Sequence, residues 1–354
     1  MIAGRDLFMF VGFKYYIVFV ICAVVSFLIT PLIRKASSLR GFLDKPNRRK
    51  VHRKSIPTLG GIAIYIAFLV GLSFIFNISG VISKSEIIGL LLGTSFMVLI
   101  GIYDDIKGIP ALMKLLGQII IASILYYYGF RITEISGLFL EKIYLGYTSY
   151  FITVFWIVAI INAINLLDGL DGLACGITTI VSIFLFIASL LDENFIVCLF
   201  ALNLAGCCIG FLPYNFYPAT IFMGDTGSMF LGLILSLLAV KSYQKSTTFI
   251  TLLVPIIVLA VPLIDTTLSI IRRLIRKRPL FKADREHIHH KMLKERSQVK
   301  TVLTLYLVTC FFGMIALGLR DIKGMYTFIA LIIVGLVTFR WIKNLGFLEF
   351  EDNK

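Results

Sequence analysis

Four polar clusters interrupt an otherwise apolar chain, and each holds residue types suited to chemistry. The first is Gly101-Ile-Tyr-Asp104-Asp105-Ile-Lys107-Gly108. Adjacent carboxylates closing an apolar run are costly unless they face water, a cation or a partner. As a pair they can hold Mg²⁺ through oxygen ligands or act as a base. The plainer reading is a solvated helix end with Lys107 as counter-charge.

The second is Asn162-Ala-Ile-Asn165-Leu-Leu-Asp168-Gly169-Leu-Asp171-Gly172. Steps of three keep Asn162, Asn165 and Asp168 within one broad helical face. The two Asp-Gly steps then turn the chain, and their glycines allow close approach to a phosphate or nucleotide. A simple turn explains the glycines but not the asparagines, which are expensive at a buried end without partners.

The third runs from Pro213-Tyr-Asn215 to Phe222-Met-Gly224-Asp225-Thr226-Gly227-Ser228. Gly-Asp-Thr-Gly-Ser opens an apolar run, so free backbone N–H groups and the helix dipole favour a nearby phosphate. Asp225 could alternatively serve only as a helix N-cap.

The fourth places three of the chain's four histidines, His287, His289 and His290, beyond the basic run Arg272-Arg273-Leu-Ile-Arg276-Lys277-Arg278. No His-Glu-x-x-His helix or cysteine partner supports zinc. Imidazoles beside arginines suit a pyrophosphate. A fifth, weaker element is His52-Arg53-Lys54-Ser55-Ile-Pro57-Thr58-Leu-Gly60-Gly61. Its basic cluster suits anionic headgroups or a substrate phosphate, although membrane orientation alone would also account for it.

The elements that position these clusters are membrane spans. The 354 residues are 58% hydrophobic and 15% charged, with a mean hydropathy of +0.94. Soluble domains carry about a quarter charged residues. Eleven apolar runs at roughly 20 residues per crossing would use about 220 residues. An all-α polytopic membrane protein of about eleven transmembrane helices is expected, as one integral-membrane domain over 1–354 with its motifs within 44–292. The spans are expected near 13–33, 59–76, 87–103, 112–130, 150–167, 173–191, 195–214, 228–241, 249–271, 301–319 and 324–342. The first is read as retained rather than as a cleaved signal.

The net charge of +14 would suggest nucleic acid in a soluble protein. Here it reads as orientation, because Lys and Arg gather in cytoplasmic loops. On alternating sides, 25 of the 34 Lys and Arg fall on one face. That puts the N-terminus outside and the C-terminus in the cytoplasm, with all four clusters at cytoplasmic span ends, where a catalytic cleft is expected. The 131–149 connection reads as a small outward hairpin. The six cysteines have no metal or disulfide spacing and read as small core residues.

Together the groups ask for phosphoryl chemistry: acids for Mg²⁺, arginines and histidines for phosphates. No Gly-x-x-x-x-Gly-Lys-Ser/Thr loop indicates ATP hydrolysis. A transporter for an anionic solute would instead place its polar groups near mid-membrane and show repeat symmetry. A scaffold would leave the Asp and His clusters unexplained.

In their order, Asp104-Asp105, Asn-Ala-Ile-Asn-Leu-Leu-Asp-Gly-Leu-Asp-Gly, Phe-Met-Gly-Asp-Thr-Gly-Ser and His-Ile-His-His resemble the polyprenyl-phosphate N-acetylhexosamine-1-phosphate transferase family. The likeness implies transfer of a sugar-1-phosphate from a UDP-sugar to undecaprenyl phosphate with release of UMP. It implies Mg²⁺ as cofactor, with Mn²⁺ as a substitute, and a multi-pass place in the cytoplasmic (inner) membrane. By position, Asp225 matches the main Mg²⁺ ligand, and Asp104 and Asp105 the pair that engages metal, lipid phosphate or both. Asn165, Asp168 and Asp171 match the nucleotide and diphosphate floor, joined by Asn162. Phe222 matches an aromatic that stacks on uracil, Asn215 a polar contact near the nucleoside, and His287, His289 and His290 the cytoplasmic histidine motif. Arg273 and Thr58 complete the expected substrate-binding set.

The family's ninth span is broken and lines a lipid groove; Pro255 and Pro262 would permit that here. The His-Ile-His-His form and its Asp-Arg-Glu prefix resemble the branch that uses UDP-GlcNAc, which starts teichoic acid, O-antigen or a related glycan. The branch that uses UDP-MurNAc-pentapeptide usually has three consecutive histidines. Membrane lipid and a second copy of the chain are the other expected partners; nucleic acid is not.

Overall fold

The computed structural model describes residues 2–46, 54–79, 83–136, 142–244, 249–277, 287–293, 295–320 and 325–344. His52 and Arg53, Arg278 and the Asp284-Arg285-Glu286 prefix lie outside the described residues. The elements run α1 (Ile2–Leu39), β1 (Leu43–Asp44), β2 (Ile56–Pro57), α2 (Gly61–Ser79), α3 (Lys84–Lys107) and α4 (Ala111–Tyr127). Then come β3 (Glu134–Ser136), β4 (Lys142–Tyr144), α5 (Thr148–Leu167), α6 (Leu173–Leu191), α7 (Phe195–Asn215) and α8 (Gly224–Gln244). The chain ends with α9 (Phe249–Val258), α10 (Ala260–Ile275), α11 (Ile288–Met292), α12 (Gln298–Leu319) and α13 (Met325–Asn344).

Seven of these helices are long and apolar enough to cross a membrane, and Gly61–Phe76, Ala111–Tyr127 and Phe328–Arg340 are shorter apolar helices. Each expected span overlaps a described helix. The ninth is broken as anticipated: α9 stops at Val258, Leu259 stands between, and α10 begins at Ala260 with Pro262 in its first turn. The hairpin expected in the 131–149 connection is present, with Glu134 opposite Tyr144 and Ser136 opposite Lys142. A second small ladder, Leu43–Pro57 and Asp44–Ile56, joins the ends of the basic connection. Two-residue strands carry no periodic pattern, so the sequence did not announce it.

The bundle is organised around α8, which packs against α2, α3, α5, α6, α7 and α9. Its Gly224–Ser242 stretch is 83% buried at a mean hydropathy of 1.3, against 22% and 2.7 for Tyr15–Leu39. A helix sheathed by protein does not need the apolar surface that lipid demands, and small residues let neighbours approach closely. Side chains added at Gly61 or Gly101 would land on the backbone of Gly227 or Thr226, and one at Gly232 on Ile161. The α8 N-terminus is therefore fixed between α2 and α3.

That helix starts four residues earlier than its apolar run. The first N–H groups of a helix lack partners within it. Here the Asp105 carboxylate supplies them, accepting from Asp225 N (2.8 Å), Thr226 N (3.0 Å) and Thr226 Oγ1 (2.6 Å). The cap of α8 is thus Asp105, 120 residues upstream, and not Asp225.

Candidate active site

Freed from capping, Asp225 presents its carboxylate from the first turn of α8. Its Oδ1 accepts from Asn165 Nδ2 (2.7 Å), which also donates to Ser228 Oγ (2.9 Å). Its Oδ2 is paired with Lys114, whose ammonium also meets Asp104 Oδ2. The other Asp104 oxygen accepts from Ile109 N at 2.7 Å, just past the turn at Gly108, where φ is +74°. Helices α3, α4, α5 and α8 so bring two carboxylates, an ammonium and a carboxamide to one place.

Asp168 stands beside this group at the end of α5. Desolvation, then the negative charge of Asp225, Asp105 and Asp171, pushes its carboxyl well above the ordinary range. Four acids crowd a region that holds one ammonium among the described partners, which is the electrostatics of a cation site. Among the described residues no three His, Cys, Asp or Glu side chains form a closed metal-ligand set. Mg²⁺ does not require one, since it is commonly held by one or two carboxylates with substrate phosphates and water. Asp104 and Asp225 fit that donor set.

Other expected residues hold the walls. Asp171 Oδ2 accepts from Ala219 N (3.0 Å), tying the α5–α6 turn to the segment before α8. Asn215 is buried and donates to Ile221 O (3.1 Å). Phe222 N donates to Pro57 O, and its carbonyl accepts from Gly60 N, both at 2.9 Å. Thr58 donates to Phe42 O through its N–H at 3.1 Å and its hydroxyl at 3.4 Å. Asn162 turns away from the acids toward Gln118 Oε1 (2.6 Å) and Val158 O (2.8 Å). Arg273 lies partly buried in the last turn of α10.

The histidines separate. His287 and His289 are buried at 5% and 1% exposure, while His290 is partly exposed. The His287 and His289 rings stack at 5.7 Å with 7° between planes. His289 Nε2 lies against Gly169, where a Cβ would collide with it, so the short α11 rests on the Asp168–Gly172 turn. Burial lowers the His289 pKa to about 3 despite Asp265, which opposes the shift, so the ring is neutral at pH 7. Of the three, His290 has the exposure that phosphate contact needs.

Three contributors escaped sequence reasoning. Lys114 was absorbed into the count of orienting charges, although a cation one turn into an apolar helix is itself a signal. Gln118, one turn further along α4, is buried against Asn162 and Met229. Asp265, an acid inside the ninth apolar run, carries the same signal as Lys114.

Comparison with known proteins gives the family. The family described as glycosyl transferase family 4 matches residues 87–243, which contain Asp104, Lys114, Asn165 and Asp225. The chain is 37% identical over 307 residues to a Bacillus subtilis protein named "Probable undecaprenyl-phosphate N-acetylglucosaminyl 1-phosphate transferase", covering 86% of this chain and 85% of that one. It is 33% identical to a decaprenyl-phosphate N-acetylglucosaminephosphotransferase of Mycobacterium leprae, covering 88% of each. It is 30% identical to a phospho-N-acetylmuramoyl-pentapeptide-transferase of Halalkalibacterium halodurans, covering 85% of this chain and 95% of the relative. With these relatives aligned along most of their length, the chain belongs to glycosyl transferase family 4 and is a phosphoglycosyl transferase.

Proposed function

We propose that this enzyme transfers N-acetylglucosamine-1-phosphate from UDP-GlcNAc to undecaprenyl phosphate, releasing UMP, with Mg²⁺ as cofactor. The reaction would run at the cytoplasmic face of the inner membrane and begin an envelope glycan of teichoic-acid or O-antigen type. The observation that carries the reading is the Asp104–Lys114–Asp225 bridge, fixed by Asn165 and capped by Asp105.

Asp225 and Asp104 would hold the ion, whose contribution is to neutralise diphosphate charge. Lys114 has three N–H donors. Two face the carboxylates, and the third is available to a phosphate oxygen. The attacking oxygen belongs to the lipid phosphate and is already anionic at neutral pH, so the protein needs to align it more than to deprotonate it. That oxygen bonds to the phosphorus attached to the sugar. The bond from this phosphorus to the bridging oxygen breaks, and its electron pair leaves on UMP. Asp105, with both oxygens engaged at the α8 N-terminus, positions Asp225; Asp104 is the member of the pair that faces the reaction. His290 and Arg273 suit the donor's diphosphate, and Phe222 the uracil.

The broken ninth span suits the acceptor. Ile270, Ile271, Leu274 and Ile275 of α10 are exposed apolar side chains, fitting a membrane-embedded isoprenoid. The His-Ile-His-His pattern and the N-acetylglucosamine names of two relatives favour GlcNAc. The pentapeptide-transferase relative supports UDP-MurNAc-pentapeptide as the second reading.

The deciding experiment supplies purified protein with undecaprenyl phosphate, Mg²⁺ and radiolabelled UDP-GlcNAc or UDP-MurNAc-pentapeptide. Lipid labelling from UDP-GlcNAc with stoichiometric UMP, abolished by EDTA, is expected. Labelling only from the pentapeptide donor would move the enzyme to the other branch.

A further inference from the structure

Helix α10 is polar inside and apolar outside. Asp265, Ser269 and Arg272, spaced along one face, are 2%, 4% and 3% exposed, whereas Leu274 and Ile275 are 60% and 55% exposed. A carboxylate withdrawn from water in this way must be paired and hydrogen-bonded. Asp265 spends both oxygens on the histidine segment. Oδ1 accepts from Ile288 N at 2.8 Å, and Oδ2 lies 3.1 Å from His287 Nδ1 and 3.8 Å from His289 Nδ1.

An ionised carboxylate can only accept hydrogen bonds. His287 must therefore carry a proton on Nδ1. The parallel stack passes this orientation to His289, whose Nε2 edge rests on Gly169 between Asn165 and Asp171. One buried acid thus sets the tautomer of the first histidine and the seat of the whole segment on the turn that carries Asp168.

We propose that Asp265 is a positioning residue of the transferase: it fixes the tautomer and orientation of His287 and, through the stacked His287–His289 pair, holds His290 against the diphosphate region. The kinetic part rests on the reaction proposed above; the tautomer part does not.

The test begins with Asp265→Asn, which keeps an acceptor for Ile288 N but turns an NH₂ group toward His287 Nδ1. With UDP-GlcNAc, kcat should fall about 10- to 100-fold, the range for groups that orient a functional histidine, while KM moves less than about 3-fold. In a His287→Ala background the same substitution should cost less than about 3-fold more, because residues acting through one another are not additive. Full kcat in Asp265→Asn, or losses that multiply in the double variant, would overturn the proposal. Nitrogen-15 NMR of wild-type imidazoles, with His287 assigned by its loss in His287→Asn, needs neither a folded Asp265 variant nor a known substrate. The Nδ1–H form is expected, and the Nε2–H form would overturn the proposal. A wild-type protein inactive on UDP-GlcNAc but holding the Nδ1–H form would fault the substrate reading alone.

Discussion

The carboxylate centre and the histidine segment are both built around buried acids, but they use them differently. At the centre, Asp105 spends its oxygens on backbone and hydroxyl donors of α8, leaving Asp104 and Asp225 shared by a single ammonium. In the histidine segment, Asp265 satisfies a backbone N–H and an imidazole, and His287 and His289 are closed off from solvent. The first region keeps charge in reserve; the second has discharged it. In the proposed reaction, substrate and cation work falls to the centre and alignment to the segment, with His290 as its more exposed member.

The largest effect that would break this contrast is Asp225→Asn. Turnover should fall on the order of 10³-fold, as when a preorganised electrostatic group is lost at a transition state. Stabilisation by Mg²⁺, read as a rise in thermal midpoint, should vanish with it. Unchanged turnover would remove the centre from the chemistry.

Lys114→Met should lower kcat about 10²-fold. It should also weaken folding, because two facing carboxylates lose their shared counter-charge. Assays with rising Mg²⁺ should recover part of the loss if the ammonium and the ion neutralise the same acids.

Asp105→Ala sharpens the division within the acidic pair. It should cost about 2 kcal/mol of stability, the scale of a lost helix cap, measured by denaturation in detergent. Its residual activity should track the folded fraction, whereas Asp104→Asn should stay folded and lose turnover.

The last effect is read through pH and concerns His289. Between the ordinary histidine pKa near 6.5 and its folded value of about 3, the unfolded chain binds a proton that the folded segment refuses. Stability should therefore fall as pH drops below 6.5, by up to about 1.4 kcal/mol per unit. His289→Gln should flatten that slope in a pH series of thermal midpoints.

Much of this was legible in one dimension. Acids that close or open apolar runs, as Asp104 and Asp225 do, are rare enough to mark a site, and the eleven runs marked the helices. The break in the ninth span was implied by the family resemblance, with Pro255 and Pro262 permitting it. What the chain could not announce were partnerships made through space. Asp105 caps a helix 120 residues away, a partnership that its adjacency to Asp104 did not suggest. Asn162 shares a helical face with Asn165, yet a neighbouring helix supplies Gln118 and claims it. Lys114 was hidden by a rule that is correct on average: cations gather on the cytoplasmic side whether or not they also do chemistry.

The modest hydropathy of α8 has a consequence for biogenesis. The helix that delivers Asp225 is the candidate span least able to partition into lipid by itself. Its stable place in the membrane should then depend on α2, α3 and α5, whose Gly61, Gly101 and Asn165 pack against its first turns. Assembly order and catalytic competence are therefore linked: until the sheath exists, the acid that would hold the cation has no membrane to stand in.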